Sequence, residues 1–305
     1  MGNKIKIWIQ AVRAPFFTAV GVPVLLGSVV AWEHMGRFHW DLFLMALVGA
    51  VFLQAGANLA NDYFDHKSGA DEANIEFIRP FTGGSRMIQN RVLTPGEVRF
   101  AALLSFALGG LIGLYLAWVR GWTIMAIGAG GVFAGYFYTA PPLRLVARGV
   151  GELFIGLSFG PICLLGAYYV QAQRLSLEAA LASVPVGLLI AAVLYINEFT
   201  DYRADREVGK NHLVVRLGRK RAVTGYALLM GCAYLSIIAG VLFSVLSPYT
   251  FLVLLAVPIS VKAIKTCATY YDDPVKLVPA NAGTILSHLA IGILLTIGYV
   301  IDKVV

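Results

Sequence analysis

Charge is scarce in this sequence. Asp, Glu, Lys and Arg make up 13% of its 305 residues, against 58% hydrophobic residues, and the mean hydropathy is +0.75. A soluble globular protein carries about 25% charged residues. Half that level along a whole chain excludes an ordinary soluble domain and predicts a polytopic membrane protein. Cysteine is also rare: Cys163, Cys232 and Cys267 stand alone in or beside apolar runs. No C-x-x-C and no H-E-x-x-H occurs, which argues against a redox dithiol or a zinc site and leaves the thiols as small buried hydrophobes. There is no basic stripe with interleaved aromatics, so the net charge of +7 does not point to nucleic acid. "MGNKIK" lacks the Ser or Thr of a myristoylation signal. The apolar stretch from Phe16 to Trp32 is too long for a signal-peptide core and has no small-x-small cleavage site, so it is read as a first membrane span.

What the chain has in abundance is apolar runs. Runs of roughly 17–25 residues can cross a ~30 Å hydrocarbon core as helices. Nine are expected, at about 15–33, 40–60, 98–119, 122–140, 152–171, 178–198, 222–246, 249–266 and 281–301. The expected fold is therefore all-α, a single domain over 1–305 built as a bundle of nine transmembrane helices. Pro23, Pro161, Pro185 and Pro258 lie inside spans, where membrane helices tolerate them. Of the 24 Lys and Arg, 20 fall on the N-terminal segment and the even-numbered links. The positive-inside rule then places the N-terminus and those links in the cytoplasm and the C-terminus outside, in a cell inner (plasma) membrane. Attraction to the lipid bilayer surface explains the net charge.

Against this apolar background two acidic stretches stand out. "NLANDYFDHKSGAD" (Asn58 to Asp71) leaves the second span, and "INEFTDYRADREVGK" (Ile196 to Lys210) leaves the sixth. Both fall on the cytoplasmic side. Asn58, Asp62 and Asp65 stand at i, i+4, i+7, and Asn61 with Asp65 at i, i+4; Asn197, Asp201 and Asp205 stand at i, i+4, i+8. Each set lies on one helix face. The shared Asn-x-x-x-Asp hints at an internal duplication, with halves of about 1–150 and 151–305. Carboxylate and amide oxygens are hard ligands that suit Mg²⁺, an ion commonly shared with substrate phosphates. Acids alone would repel a diphosphate; a cation between them inverts that sign. Lys67, Lys210, Arg144 and Arg203 are close in sequence to the acids or share their side. His66 and His212, beside the motifs, read as polar neighbours. Gly83 and Gly84 of "FTGGSR" either hinge a lid over the site or form a turn.

The motifs "NDYFDHKSGAD", "FTGGS" and "NEFTDYRADREVGKNHLVVRLGRKRA" resemble those of the UbiA superfamily of intramembrane aromatic prenyltransferases, and most closely its branch that prenylates 1,4-dihydroxy-2-naphthoate in menaquinone synthesis. The resemblance covers essentially the whole chain. Two departures stand out. Position 69 is Gly, so the third acid of the first motif is Asp71. The Tyr-x-x-x-Lys signature is represented by Tyr138 with Pro142 at the lysine position, leaving Arg144 as the nearby cation.

The resemblance implies a transferase with two substrates, an isoprenyl diphosphate and an aromatic acceptor, and no obligate protein partner. Mg²⁺ (or Mn²⁺ as a substitute), held by Asn61, Asp65, Asp201 and Asp205, would neutralise the departing diphosphate. Lys67, Arg144 and Lys210 would add positive charge there, and Arg13 or Arg79 would hold the acceptor carboxylate. Asp62 would orient a ligand or accept a proton. Asn58 would ligate metal or cap a neighbouring helix. Asp71, Tyr138 and Asn197 complete the expected substrate-binding set. With the naphthoate, the product would be demethylmenaquinone, with loss of carbon dioxide and diphosphate. Other acceptors in the same class are 4-hydroxybenzoate, another naphthoate or a glycerol-phosphate lipid. From a different class, an ion-coupled secondary transporter also carries intramembrane acids, but places them near the midplane rather than at span ends.

Overall fold

A computed structural model describes residues 2–305. Among the described residues all regular structure is helical. A short α1 (Gly2–Ala11) precedes α2 (Thr18–Met35) and α3 (Trp40–Ser68); the single turn α4 (Ala70–Ala73) follows. Then come α5 (Pro95–Arg120), α6 (Thr123–Phe137), and α7 (Gly151–Leu157), which runs through a π turn into α8 (Cys163–Ala172). The chain ends with α9 (Leu177–Glu207), α10 (Leu213–Leu217), α11 (Arg219–Leu242), α12 (Val257–Tyr270) and α13 (Pro274–Val304).

All nine expected segments are helical, and eight are long and apolar enough to cross a bilayer. The fourth, α6, has 15 residues, which at 1.5 Å per residue covers roughly 22 Å of a ~30 Å core. It stops early because Pro141 and Pro142, which carry no N–H, stand four residues after Phe137 and Tyr138, where the next helical donors would be. Other boundaries moved outward. The first charges mark where hydropathy falls, but a backbone helix continues until something stops it. Thus α3 runs to the left-handed Gly69 and α9 to Glu207, each carrying its acidic motif on its last turns. At the other end of the same rule, α5 begins at Pro95. Thr94 caps it by accepting from Glu97 N (3.2 Å) while Glu97 Oε2 accepts from Thr94 N (2.7 Å).

Span α9 is the most enclosed and α5 the least. Close packing around α9 depends on small residues. A Cβ on Gly187 would lie 2.5 Å from the Gly156 carbonyl, and one on Gly160 2.7 Å from the Gly187 Cα, so two helices touch backbone to backbone. Gly160 sits in the π turn Ser158–Ile162, where Pro161 removes a donor from the helical ladder. Helix α1 packs with the motif end of α3, through Ala11, Leu59 and Ala60. The end of α13 lies at the opposite pole, where Lys303 Nζ donates to the Glu33 carbonyl of α2 (2.8 Å). The two termini therefore lie on opposite sides of the bundle. Exposed Trp40, Trp118 and Trp122 ring the pole remote from the motifs, as an interfacial aromatic belt does.

Candidate active site

The acidic ends of α3 and α9 meet. Lys210 joins them: its Nζ lies 3.0 Å from Asp65 Oδ1 and 3.5 Å from Asp205 Oδ1. The turn after α9 makes this possible, because Gly209 takes φ +75° and Lys210 N then donates back to the Asp205 carbonyl (2.8 Å). On α3, Arg13 enters from the segment before α2, pairs with Asp62 and donates to Asn61 Oδ1 (2.8 Å). Asn61 Nδ2 in turn donates to Asp65 Oδ2 (3.0 Å), along the i, i+4 face. Asn74 Nδ2 donates to Asp201 Oδ1 (2.7 Å), and Gln89 Nε2 to Asp71 Oδ2 (3.1 Å).

Asp62, Asp65, Asp71, Asp201 and Asp205 thus share one region, with Arg13 and Lys210 as its paired cations. Burial opposes the charge on Lys210, but Asp65 and Asp205 outweigh it and hold the ammonium above its ordinary pKa. Arg13 follows the same pattern, burial being outweighed by Asp62. For Asp71 the balance falls the other way: burial first, then Asp65 and Asp62, push its carboxyl up to about 8 against the opposing pull of Arg13 and Lys210. Negative charge is in excess here.

The segment between α3 and α5 lies over these acids. Ser85 N approaches both Asp62 oxygens at 3.3 Å, and a Cβ on Gly84 (φ +68°) would stand 2.9 Å from Asp62 Oδ1. "FTGGS" is a strap across the site, held on the glycine that can pass closest.

Several expected residues are elsewhere. Lys67 does not join the acids: it is exposed and its Nζ lies over the Tyr63 ring at 5.7 Å, because it projects from the outer face of α3. Arg79 is exposed and donates to the Ser85 carbonyl, which braces the strap. Arg203 pairs outward with Glu76 (2.8 Å). Arg144 is half-buried, at φ +44°, without an ion pair to the acids. Asn197 accepts from Asn281 Nδ2 (2.8 Å) and ties α9 to α13. Asn58 donates to the Val12 carbonyl (2.9 Å) and so anchors the N-terminal segment. His66 pairs with Glu72 (2.6 Å). Asn74, Ser85 and Gln89 were not anticipated from sequence; their neighbourhood exists only once the strap is folded. Glu152 and Glu198 were also missed, although Glu198 stands inside the second motif.

An apolar cavity opens from this region. Its polar end is lined by Arg13, Asn58, Asn61 and Tyr138. It then follows Ala57, Leu53, Ala50 and Ala46 along one face of α3. From Ala46 to Asn61 the path is roughly 22 Å at 1.5 Å per residue. Gly128, Gly131 and Gly135 of α6 line the opposite wall. The far end is closed by Leu116, Ile124 and Val170, packed with Leu42 and Ala117.

Two acid-bearing helix ends at the mouth of an apolar tunnel match the geometry implied by the sequence motifs, and the comparison with known families decides the assignment. The model of the UbiA prenyltransferase family matches residues 20–276. The chain belongs to that family. This UbiA-family enzyme is 31% identical to the 2-carboxy-1,4-naphthoquinone phytyltransferase of Synechocystis sp., over 96% of this chain and 93% of the relative. It is 32% identical to the 1,4-dihydroxy-2-naphthoate octaprenyltransferase of Bacillus subtilis, over 97% and 92%. Among solved structures it shares its fold with a digeranylgeranylglyceryl phosphate synthase (TM-score 0.66, 15% identity, 98% and 99% covered). It also shares it with a UbiA homolog from Archaeoglobus fulgidus bound to DMAPP and Mg²⁺ (TM-score 0.58, 14% identity, 95% and 98% covered). It is thus a multi-span membrane prenyltransferase.

Proposed function

We propose that this enzyme transfers a polyprenyl group from an isoprenyl diphosphate to 1,4-dihydroxy-2-naphthoate, in a divalent-metal-dependent reaction. The observation that carries the proposal is the joining of the α3 and α9 carboxylates at the mouth of the apolar tunnel. The names of the naphthoate-acting relatives support the acceptor. The donor class and the metal are supported by the A. fulgidus homolog, which holds DMAPP and Mg²⁺.

The residues present fit Mg²⁺. Their donors are hard oxygens, and the acids outnumber the cations that neutralise them. Asn61, Asp65, Asp201 and Asp205 would hold it, and Mn²⁺ would serve in its place. Bound there, it would supply positive charge to the diphosphate as the carbon–oxygen bond breaks. Lys210 then faces the leaving group from between Asp65 and Asp205, and Arg13 holds Asp62 and Asn61 in position. The tunnel takes the prenyl chain and keeps water from the allylic cation. A carbon–carbon bond forms at the ring carbon bearing the carboxylate. Carbon dioxide leaves and returns its electron pair to the ring, giving the reduced form of demethylmenaquinone. Asn58 and Tyr138 border the end where the acceptor meets the chain. We also propose that the enzyme lies in the inner membrane, with its N-terminus and site cytoplasmic and its C-terminus outside. The single-domain organisation and the duplication near 1–150 and 151–305 are part of the same proposal.

The test is direct. Purified protein is incubated with Mg²⁺, a labelled prenyl diphosphate and the acceptors 1,4-dihydroxy-2-naphthoate, 4-hydroxybenzoate and a glycerol-phosphate lipid, and products are identified by mass. Decarboxylated prenyl-naphthalene product, abolished by EDTA and restored by Mg²⁺ or Mn²⁺, is expected. Preferential turnover of another acceptor would reassign the substrate, and full activity in excess EDTA would overturn the metal assignment.

A further inference from the structure

Beside Asp205 lies a second group of ionisable side chains that the proposed reaction does not use. Glu152 stands in the first turn of α7, Glu198 is on α9 one turn before Asp201 and two turns before Asp205, and His212 caps α10. They are 3%, 5% and 1% exposed, so water does not solvate them. A carboxylate oxygen from each glutamate and a ring nitrogen of His212 all lie within 4.8 Å of one another.

The group is made almost wholly of acceptors. Glu152 Oε1 is satisfied by Leu213 N (2.7 Å). Glu152 Oε2 and both oxygens of Glu198 have no hydrogen-bond partner among the described residues. His212 Nδ1 accepts a long contact from Val215 N (3.3 Å) and faces Glu198 Oε2 at 3.4 Å. With Nδ1 an acceptor, the ring proton of neutral His212 is on Nε2, which faces Asp205 Oδ2 at 3.2 Å. Nδ1 and Glu198 Oε2 then confront each other with nothing to share. Buried carboxylates without a partner are strongly disfavoured unless a cation or a proton stands among them.

We propose that Glu152, Glu198 and His212 bind one divalent metal ion, separate from the diphosphate site. One imidazole nitrogen with carboxylate oxygens suits Zn²⁺ or Mn²⁺ better than Mg²⁺. Two ligands of a tetrahedral Zn²⁺, each at about 2.0–2.1 Å, stand about 3.3 Å apart, close to the Nδ1 to Oε2 separation of 3.4 Å. Metal-ligating histidines usually present their other N–H to a carboxylate, and Asp205 occupies that place for Nε2. The ion would therefore fix the His212 ring and, through it, the orientation of Asp205. The ion replaces the long Val215 contact at Nδ1. The inference stands whichever acceptor the enzyme prenylates.

The test needs no prenyl substrate. Full-length protein in detergent is stripped with chelator, loaded with Zn²⁺ in one arm and Mn²⁺ in the other, and freed of unbound metal. Bound metal is then measured by elemental analysis, with no diphosphate present. Wild type is expected to retain about one ion per chain in at least one arm and to melt at higher temperature when loaded. Glu198→Gln and Glu152→Gln, which keep side-chain shape, should each lower affinity at least tenfold. Asp201→Asn, which removes none of the three clustered groups, should retain the ion. The wild-type melting shift serves as the readout if a variant fails to fold. Three results would each overturn the proposal. Wild type could retain no metal in either arm, meaning that protons close the cluster. Both glutamine variants could bind like wild type. Asp201→Asn could lose the ion as well, assigning it to the diphosphate site.

Discussion

The ammonium of Lys210 stands 3.0 Å from Asp65, so a residue just past α9 closes the charge of an acid near the end of α3. The same nitrogen is 3.5 Å from Asp205, so the two acidic motifs share one counter-ion. Removing it leaves two buried carboxylates facing each other. Breaking a buried ion pair from one side costs about 3–5 kcal/mol. Lys210→Met should therefore melt well below wild type in metal-free detergent solution. Mg²⁺ with inorganic pyrophosphate should recover part of the loss, since a cation then replaces the ammonium. Equal melting of wild type and variant without metal would remove Lys210 from this role.

Asp65 and Asp201 are both expected to matter for rate, and Asp65, as the 3.0 Å partner of Lys210, for stability as well. Loss of one positioned electrostatic contact commonly costs about 10²–10³ in rate. Asp65→Asn and Asp201→Asn should each lose at least that much turnover. Asp201→Asn keeps an oxygen for Asn74, so its melting should barely change. Asp71→Asn should lose less, because Asp71 is held by Gln89 and contacts the strap rather than Lys210. Near-normal turnover in both of the first two variants would remove these carboxylates from the metal site.

Tunnel length should be separable from chemistry. Gly128 lines the tunnel wall, and a Cβ added there meets no atom within 4 Å. Gly128→Leu should fill that space without straining the helix. Turnover with dimethylallyl diphosphate should persist while long-chain donors are rejected. A uniform loss across donor lengths would mean that the prenyl chain runs elsewhere.

The strap can be probed at Gly84. Its φ of +68° is poorly tolerated by residues with a Cβ, and that atom would meet Asp62. Gly84→Ala is expected to destabilise by roughly 1 kcal/mol or more and to raise KM for the diphosphate. Cleavage in the 74–92 segment under limited proteolysis should increase. Unchanged proteolysis and KM would show that the strap does not depend on this close approach.

The separation of the termini makes the proposed orientation testable. With the native cysteines replaced, Lys67→Cys and Val305→Cys should label from opposite sides of a sealed vesicle, Lys67→Cys from the cytoplasmic face. Labelling of both from one side would refute an odd number of crossings.

The membrane class, the positions of the helical segments and the helical spacing of the acids are all legible in the residue order. Each of these is written locally: apolar runs dictate spans, and i, i+4 spacing dictates a shared face wherever the helix persists. The motifs also carried the family resemblance. Sequence misjudged where helices stop, because hydropathy falls before the backbone hydrogen bonds do; Gly69 and the Val208–Gly209 turn set the real ends. Which cations reach the acids depends on how the helices pack. Lys67, Arg79, Arg144 and Arg203 lie near the motifs in sequence or on the same side, yet none pairs with these carboxylates. Arg13 and Lys210 do, because the turns before α2 and after α9 aim them inward. The tunnel along α3 and the meeting of Glu152, Glu198 and His212 were equally out of reach. They join residues from separate helices, and the direction of a side chain across an interface is fixed by packing, which local periodicity does not contain.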